Sequence, residues 1–354
     1  MIKLFVKAAT RFGRLAVLFF VVPAFLIGAV WLSLLDRYPM AVLASSIVII
    51  PMLLLAVTLL LGTLFPGVRE KSEPGVTDEQ APGIWRLWRE VAGEKQANKT
   101  VIVINEDYNA GIAETRGFKG RKPVLFIGLP LLALFDERAV KAVLAHELAH
   151  FQYKDTNGSL KLMDLEMSFD AIFDYAPPGR TVSGSVLYWA LGPLAKAFHK
   201  EEMRLSRAAE IKADRLSAEL GDAYETARSL MLLVAGGQLL KDRVYDPLNR
   251  EVRGAMSVPK PPMMRILKEA HRLQNAAFVQ KTLLVPDPDG SDDSESTHPN
   301  WRKRLAALGY EELPLIDPPI GSALDRTLSR AFTAEKIAEL DTKWTSMVAD
   351  YLDR

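Results

Sequence analysis

The sequence predicts an α+β protein, mainly helical with a small β-sheet, carried behind a two-helix transmembrane hairpin. Three observations predict this. Two long uncharged runs stand near the start, at 15–35 and 40–65. Short β-branched runs cluster between 101 and 128. From Asp136 onward, most stretches place apolar residues at helical spacing. The 354 residues are 49% hydrophobic and 25% charged, with 21 Pro and 22 Gly, a globular composition. There is no Cys, which excludes a disulfide framework, thiolate zinc sites, iron–sulfur clusters and a cysteine nucleophile. The net charge of +1 provides no basic field for nucleic acid.

The first run, LAVLFFVVPAFLIGAVWLSLL, has 21 residues without a charge, and about 20 cross a bilayer as a helix. The second follows after Asp36-Arg37-Tyr38-Pro39. The first run is too long for a signal-peptide core and lacks an A-x-A-like cleavage site. Pro23 and Pro51 lie within the runs, where membrane helices tolerate them. Lys3, Lys7, Arg11 and Arg14 precede the hairpin, Arg69 and Lys71 follow it, and the turn holds only Arg37. The positive-inside rule then puts both ends and the bulk of the chain in the cytoplasm, at the inner membrane if the source is bacterial. The hairpin occupies 1–66.

Residues 67–96 read as a Pro- and Gly-rich linker followed by a juxtamembrane helix around Ile84–Val91. VIVIN at 101–105 predicts a strand, with further strands at 111–115 and 124–127 on either side of a Gly/Lys/Arg-rich turn. Asp136 is placed to cap a helix running through DERAVKAVLAHELAHFQ. Residues 160–176 are too charged to span a membrane, and 186–195 (VLYWALGPLA) read as a buried or interfacial helix. Helices are expected at 200–220, 223–240 and 334–352, and an acidic, Ser-rich loop at 286–297. The central domain covers 97–310, and 311–354 form a helical extension.

HELAH at 146–150 matches HExxH within the expected helix. Positions i and i+4 share a helical face, so His146 and His150 can present imidazoles to one metal ion. Glu147 lies about 100° around the helix and can reach a metal-bound water. Imidazole ligation suits zinc, whose bound water has a pKa near 7. Glu147 would take that water's proton and pass it to a leaving amine. The surrounding AVLAHELAHF is mostly apolar, and burying two His with a Glu is costly unless something pairs them. Two His leave a catalytic zinc one protein ligand short. Glu210 and Asp214 in EIKAD share a face; Glu210 is a candidate third ligand, and Asp214 a candidate acceptor for a ligand histidine's second N–H. Acidic pairs at this spacing are more often a solvated face.

HELAH, then SRAAEIKAD at 206–214, then STHPNWRKRLAAL at 296–308, behind a membrane hairpin, resemble the HtpX-type membrane metallopeptidases, relatives of the CAAX prenyl and mitochondrial Oma-type proteases. The resemblance covers roughly 97–310 and implies a zincin-like HExxH domain holding one Zn2+ per chain. It implies His146, His150 and Glu210 as ligands, Glu147 as general base and acid, and Asp214 as the supporting aspartate. His298 and Arg304 match the family's THPxxxxR element beside the active site, where the His steadies the tetrahedral intermediate or caps the metal at rest. Asn109-Ala110 match an Asn-Ala element that precedes a peptide-pairing edge strand. The following GIAETRGFKG departs from the family's small-aromatic pattern, and the family's two later spans have at most one weak counterpart here, at 186–195.

These features predict a membrane-anchored zinc endopeptidase acting on protein or peptide substrates. The resemblance makes those substrates misfolded or damaged membrane proteins. His298 with Arg304 would stabilise the developing oxyanion. The rivals are a CAAX-processing protease, for which two apolar runs build too little of a membrane chamber, and a membrane-tethered scaffold or chaperone with a structural zinc.

Overall fold

A computed structural model gives the fold and describes residues 2–64, 74–117, 120–157, 165, 179–180, 182–285 and 299–353. The chain divides into two compact units, residues 1–71 with 154–208, and residues 72–153 with 209–354.

In the first unit, α1 (Ile2–Phe12) leads through a 3-10 turn (Gly13–Val17) into α2 (Leu18–Ser33), and α3 (Pro39–Leu64) follows. The segments Leu15–Ser33 and Pro39–Leu61 are long and apolar enough to cross a membrane, each with a mean hydropathy of 2.6. Only 28% and 11% of them are buried, unlike the core helix of a soluble protein, and they fit a membrane protein. The run from residue 15 is not α-helical from its first residue. Gly13 takes a φ of 58°, a left-handed value that ends α1. Near the hairpin turn, the Trp31 indole donates to the Val42 carbonyl and the Ser45 hydroxyl. Gly28 lets Leu53 approach; a Cβ there would sit 2.8 Å from its side chain.

The expected separate helices at 186–195 and 200–220 are one helix, Val182–Leu220, which is α8 in chain order. Gly192 and Pro193 do not break it. A proline removes one helical hydrogen bond, while Leu191, Leu194 and Phe198 pack against Phe5 and Val21 of the same unit on either side of it. The opposite face leaves Trp189 exposed. Among the described residues, only the two N-terminal segments have the length and hydropathy of spans. Of the stretch 160–176, only Leu165 lies within the described residues, and 286–297 lie outside them.

The second unit opens with α4 (Pro82–Ala92) and α5 (Glu94–Ala97). The strands are β1 (Val101–Asn105), β2 (Ala110–Gly117) and β3 (Gly120–Gly128). Their order is β1-β3-β2; β1 runs parallel to β3, from Val101 opposite Val124 to Asn105 opposite Gly128. β2 pairs antiparallel to β3, from Ala110 opposite Ile127. Ile102, Ile104, Leu125 and Ile127 on one face and Val103 and Val124 on the other are buried, the near-continuous apolar pattern of strands covered on both faces.

Helices α6 (Leu129–Leu134) and α7 (Glu137–Asn157) follow. α8 contributes its end from Ala209 to this unit. Then come α9 (Ala223–Leu240), a π-turn (Lys241–Tyr245), α10 (Asp246–Arg253), α11 (Pro262–Glu269) and α12 (Ala276–Leu284). The chain ends with α13 (Trp301–Ala307), α14 (Leu324–Thr327) and α15 (Arg330–Leu352). Ile84, Leu87 and Trp88 of α4 and Phe332 and Leu340 of α15 join the core that packs the sheet and α7. A Cβ on Gly83 would lie 2.5 Å from the Thr327 backbone, so α4 and α14 meet almost backbone to backbone.

Asp136 caps α7 by accepting the Ala139 N–H at 3.0 Å and also accepts the Ile320 N–H at 3.0 Å. It forms a fork with Arg228 of α9 at 2.6 and 3.2 Å. Arg228 is fully buried; its remaining donors reach Glu225 and the carbonyls of Asp317 and Pro318. Burial alone would raise the Asp136 carboxyl, but Arg228 and the two backbone donors hold it below its usual range. Truncating one partner of a buried pair costs about 3–5 kcal/mol, and Asp136→Ala should lower unfolding stability by that order. Asp136 contributes fully above the ordinary carboxylate pKa, and its contribution is lost as pH falls through the depressed folded value. Acid should therefore destabilise wild type more steeply than Asp136→Ala, as read by thermal unfolding across pH.

Candidate metal centre

The site is built where α7 meets the end of α8. Both faces carry small residues: Ala142, Ala145 and Ala149 on α7, and Ala209 and Ala213 on α8, all buried. The Ser217 hydroxyl donates to the Ala142 carbonyl at 3.2 Å. Side chains this small let the helices come close, and the larger polar groups then meet between them. His146 and His150, one turn apart, have ring centroids 4.5 Å apart. His150 Nε2 lies 3.2 Å from Glu210 Oε1, and His146 Nε2 lies 3.5 Å from Glu210 Oε2.

One ligand atom from each of His146, His150 and Glu210 falls within 4.8 Å of the others. A tetrahedral zinc with bonds of about 2.0–2.1 Å separates its ligand atoms by about 3.4 Å, close to the two distances across Glu210. Two imidazole nitrogens and one carboxylate are a zinc-type donor set, so these residues fit that ion.

Asp214 lies one turn beyond Glu210 and is almost fully buried. Its Oδ1 is 3.0 Å from His146 Nδ1, which leaves Nε2 to face Glu210. The Arg304 guanidinium grips Asp214 with two bonds of 2.7 Å and lies 3.1 Å from Glu210 Oε2. Sequence reasoning placed Arg304 with the oxyanion. In the structure its guanidinium faces the two carboxylates, the strongest acceptors in reach. α13 sets Arg304 in place: Asn300 caps it through the Arg302 N–H at 2.9 Å, and Trp301 and Leu305 anchor it in the core. No spacing in the sequence signals this grip, which joins residues 90 positions apart.

Burial would lower the His146 pKa, but hydrogen bonds to Asp214 and Glu210 and the nearby Glu147 push it up to about 9. Burial would raise Asp214, yet Arg304 and His146 hold it below its usual range. His150 Nδ1 is buried without a hydrogen-bond partner among the described residues, so the two imidazoles are held differently. Glu147 is buried beside them. Lys212 of α8 sits 3.7 Å above the Tyr153 ring of α7, a further contact between the two helices that the motifs do not signal.

Asn109 is exposed in the turn before β2, and Ala110 opens that strand. The turn is fixed on both sides of Asn109. The Tyr108 hydroxyl donates to the Leu232 carbonyl at 3.1 Å and rests on Gly236, where a Cβ would lie 2.0 Å from its oxygen. The Gly128 N–H donates to the Asn109 carbonyl at 2.8 Å. His298 lies outside the described residues.

Residues 84–312 match the family description "Peptidase family M48". The chain belongs to peptidase family M48. This is a metallopeptidase family, and the matched segment contains the whole His146–His150–Glu210 group. Among similar proteins is "Protease HtpX homolog" of Burkholderia multivorans, 31% identical over 247 residues, covering 66% of this chain and 75% of that protein. The homolog of Burkholderia lata is 30% identical over 248 residues with the same coverage. The crystal structure of S. mikatae Ste24p overlays 82% of this chain at a TM-score of 0.36 and 15% identity. This chain spans 64% of that structure's length, and the overlay is too loose to carry an argument.

Two outcomes are expected. The His146 proton competes with a metal, so zinc affinity, measured against a chelator, should rise about tenfold per pH unit through neutrality and level off near pH 9. Asp214→Ala, which frees the His146 ring, should weaken zinc binding by about 10–100-fold. Glu210→Ala should weaken it further, as read by bound metal per chain.

Proposed function

We propose that this M48 protein is a membrane-anchored zinc-dependent endopeptidase. The convergence of the ligand atoms of His146, His150 and Glu210 within 4.8 Å carries the reading. Zinc, when bound, supplies Lewis acidity to the scissile carbonyl and to the hydrolytic water. Glu147, next in sequence to a ligand and buried beside it, takes the proton from the attacking water and delivers it to the leaving amine. Asp214 fixes the His146 tautomer through Nδ1, and Arg304 holds Asp214 in turn. His298, with Arg304, stabilises the oxyanion, as the THPxxxxR resemblance has it.

Peptide substrate pairs with β2. That strand is last in the order β1-β3-β2, so one of its edges has no partner within the sheet, the requirement for β-augmentation. The turn at 108–110, tied to Leu232 and Gly128, fixes the start of the strand. The basic flanks of the two apolar segments orient the peptidase unit to the cytoplasm. Damaged membrane proteins are the substrates that the likeness to HtpX homologs suggests.

The deciding comparison is cleavage of an unfolded protein by detergent-purified wild type and Glu147→Gln, with zinc quantified in both. Glu147→Gln should keep its zinc and lose about 10²–10⁴-fold or more in rate. Equal turnover would remove Glu147 from the mechanism.

A further inference from the structure

We infer that a cavity between α11 and α15 is a binding site for a small primary amine with an apolar body. The cavity measures about 190 Å³. Its lining includes Met263, Ile266 and Leu340, all buried. Trp344 adds an aromatic wall, the kind of surface that favours an ammonium. Exposed Glu106 and Lys343 stand at the rim, paired at 2.6 Å.

Within this lining, one buried polar atom stands without a partner. Asp341 Oδ1 is fully buried and has no hydrogen-bond partner among the described residues. The Met263 N–H serves its carboxyl group, but burial outweighs that bond and raises its pKa. Nearby cations have other partners: Lys343 pairs with Glu106, and Lys336 with Glu339 at 2.8 Å. A ligand ammonium meets Asp341 directly while its apolar part fills the rest. The charged lining residues, Asp341 and Glu106 against Lys343, leave one net negative charge, which matches a monocation. A cavity of roughly 150 Å³ accepts benzene, so this one has room for a phenyl ring bearing a short aminoalkyl arm. None of the metal-centre residues lines it, so the inference stands apart from the peptidase reading.

Phenethylamine is the probe, read by the unfolding temperature of the full chain in detergent. The expected result is a saturable rise for wild type. Asp341→Asn should bind roughly ten- to a hundredfold more weakly, and Met347→Trp, at the exposed edge of the cavity, should block binding. Ethylbenzene and 3-phenylpropanoate, which lack the ammonium, should give no saturable rise. Three results would overturn the site: no saturable rise in wild type, an equal rise in both variants, or an equal rise with ethylbenzene. The variants also correct for partition of the probe into micelles.

Discussion

The carboxylate of Asp214 is where three distant segments of this protein are tied together. One oxygen faces His146 on α7, and both accept from Arg304 on α13. An aspartate this buried would be protonated or hydrated without such partners. With them it stays charged, and its charge holds the imidazole. The orientation of His146 in the candidate metal site therefore rests on an ion pair outside the three ligand residues. Alanines at the α7–α8 contact make the arrangement possible, because bulkier side chains would hold the two backbones apart.

Local pattern determined much of this in advance. VIVIN at 101–105 is a strand with the expected bounds, because a β-branched run between polar residues has little competing choice. The 223–240 helix likewise agrees, framed by Gly221 and the Asp222 cap. The HELAH spacing puts two imidazoles on one face by helix geometry alone. The longer-range features left no local trace. Nothing near Arg304 announces that it grips residues 90 positions earlier, and Arg228 gives no hint in sequence of its fork with Asp136. Residues 186–195 and 200–220 read locally as two helices, yet a single α8 covers both. His298 was reached through the resemblance alone.

Buried Arg228 and partly buried Arg304 divide the labour of the second unit. Arg228 joins the start of α7 to the chain near 317–320, while Arg304 joins α8 to α13. Each satisfies carboxylates within an otherwise apolar core of aliphatic and aromatic side chains. Apolar packing specifies volume but tolerates small shifts in register. A fork of charged hydrogen bonds does not, since moving either partner leaves a charge without its acceptor. Such a core gives a histidine pair a fixed orientation, which apolar contacts alone leave loose.

The late position of Arg304 has a consequence for biosynthesis. The chain is made from its N-terminus, so HELAH emerges first. Glu210 and Asp214 follow, and the guanidinium that holds them arrives 90 residues later. A nascent chain at the membrane thus displays the hydrolytic motif long before it owns the clasp that orders it. The order that this clasp gives the site is deferred until Arg304 has been translated, and copies that stop before it lack the clasp.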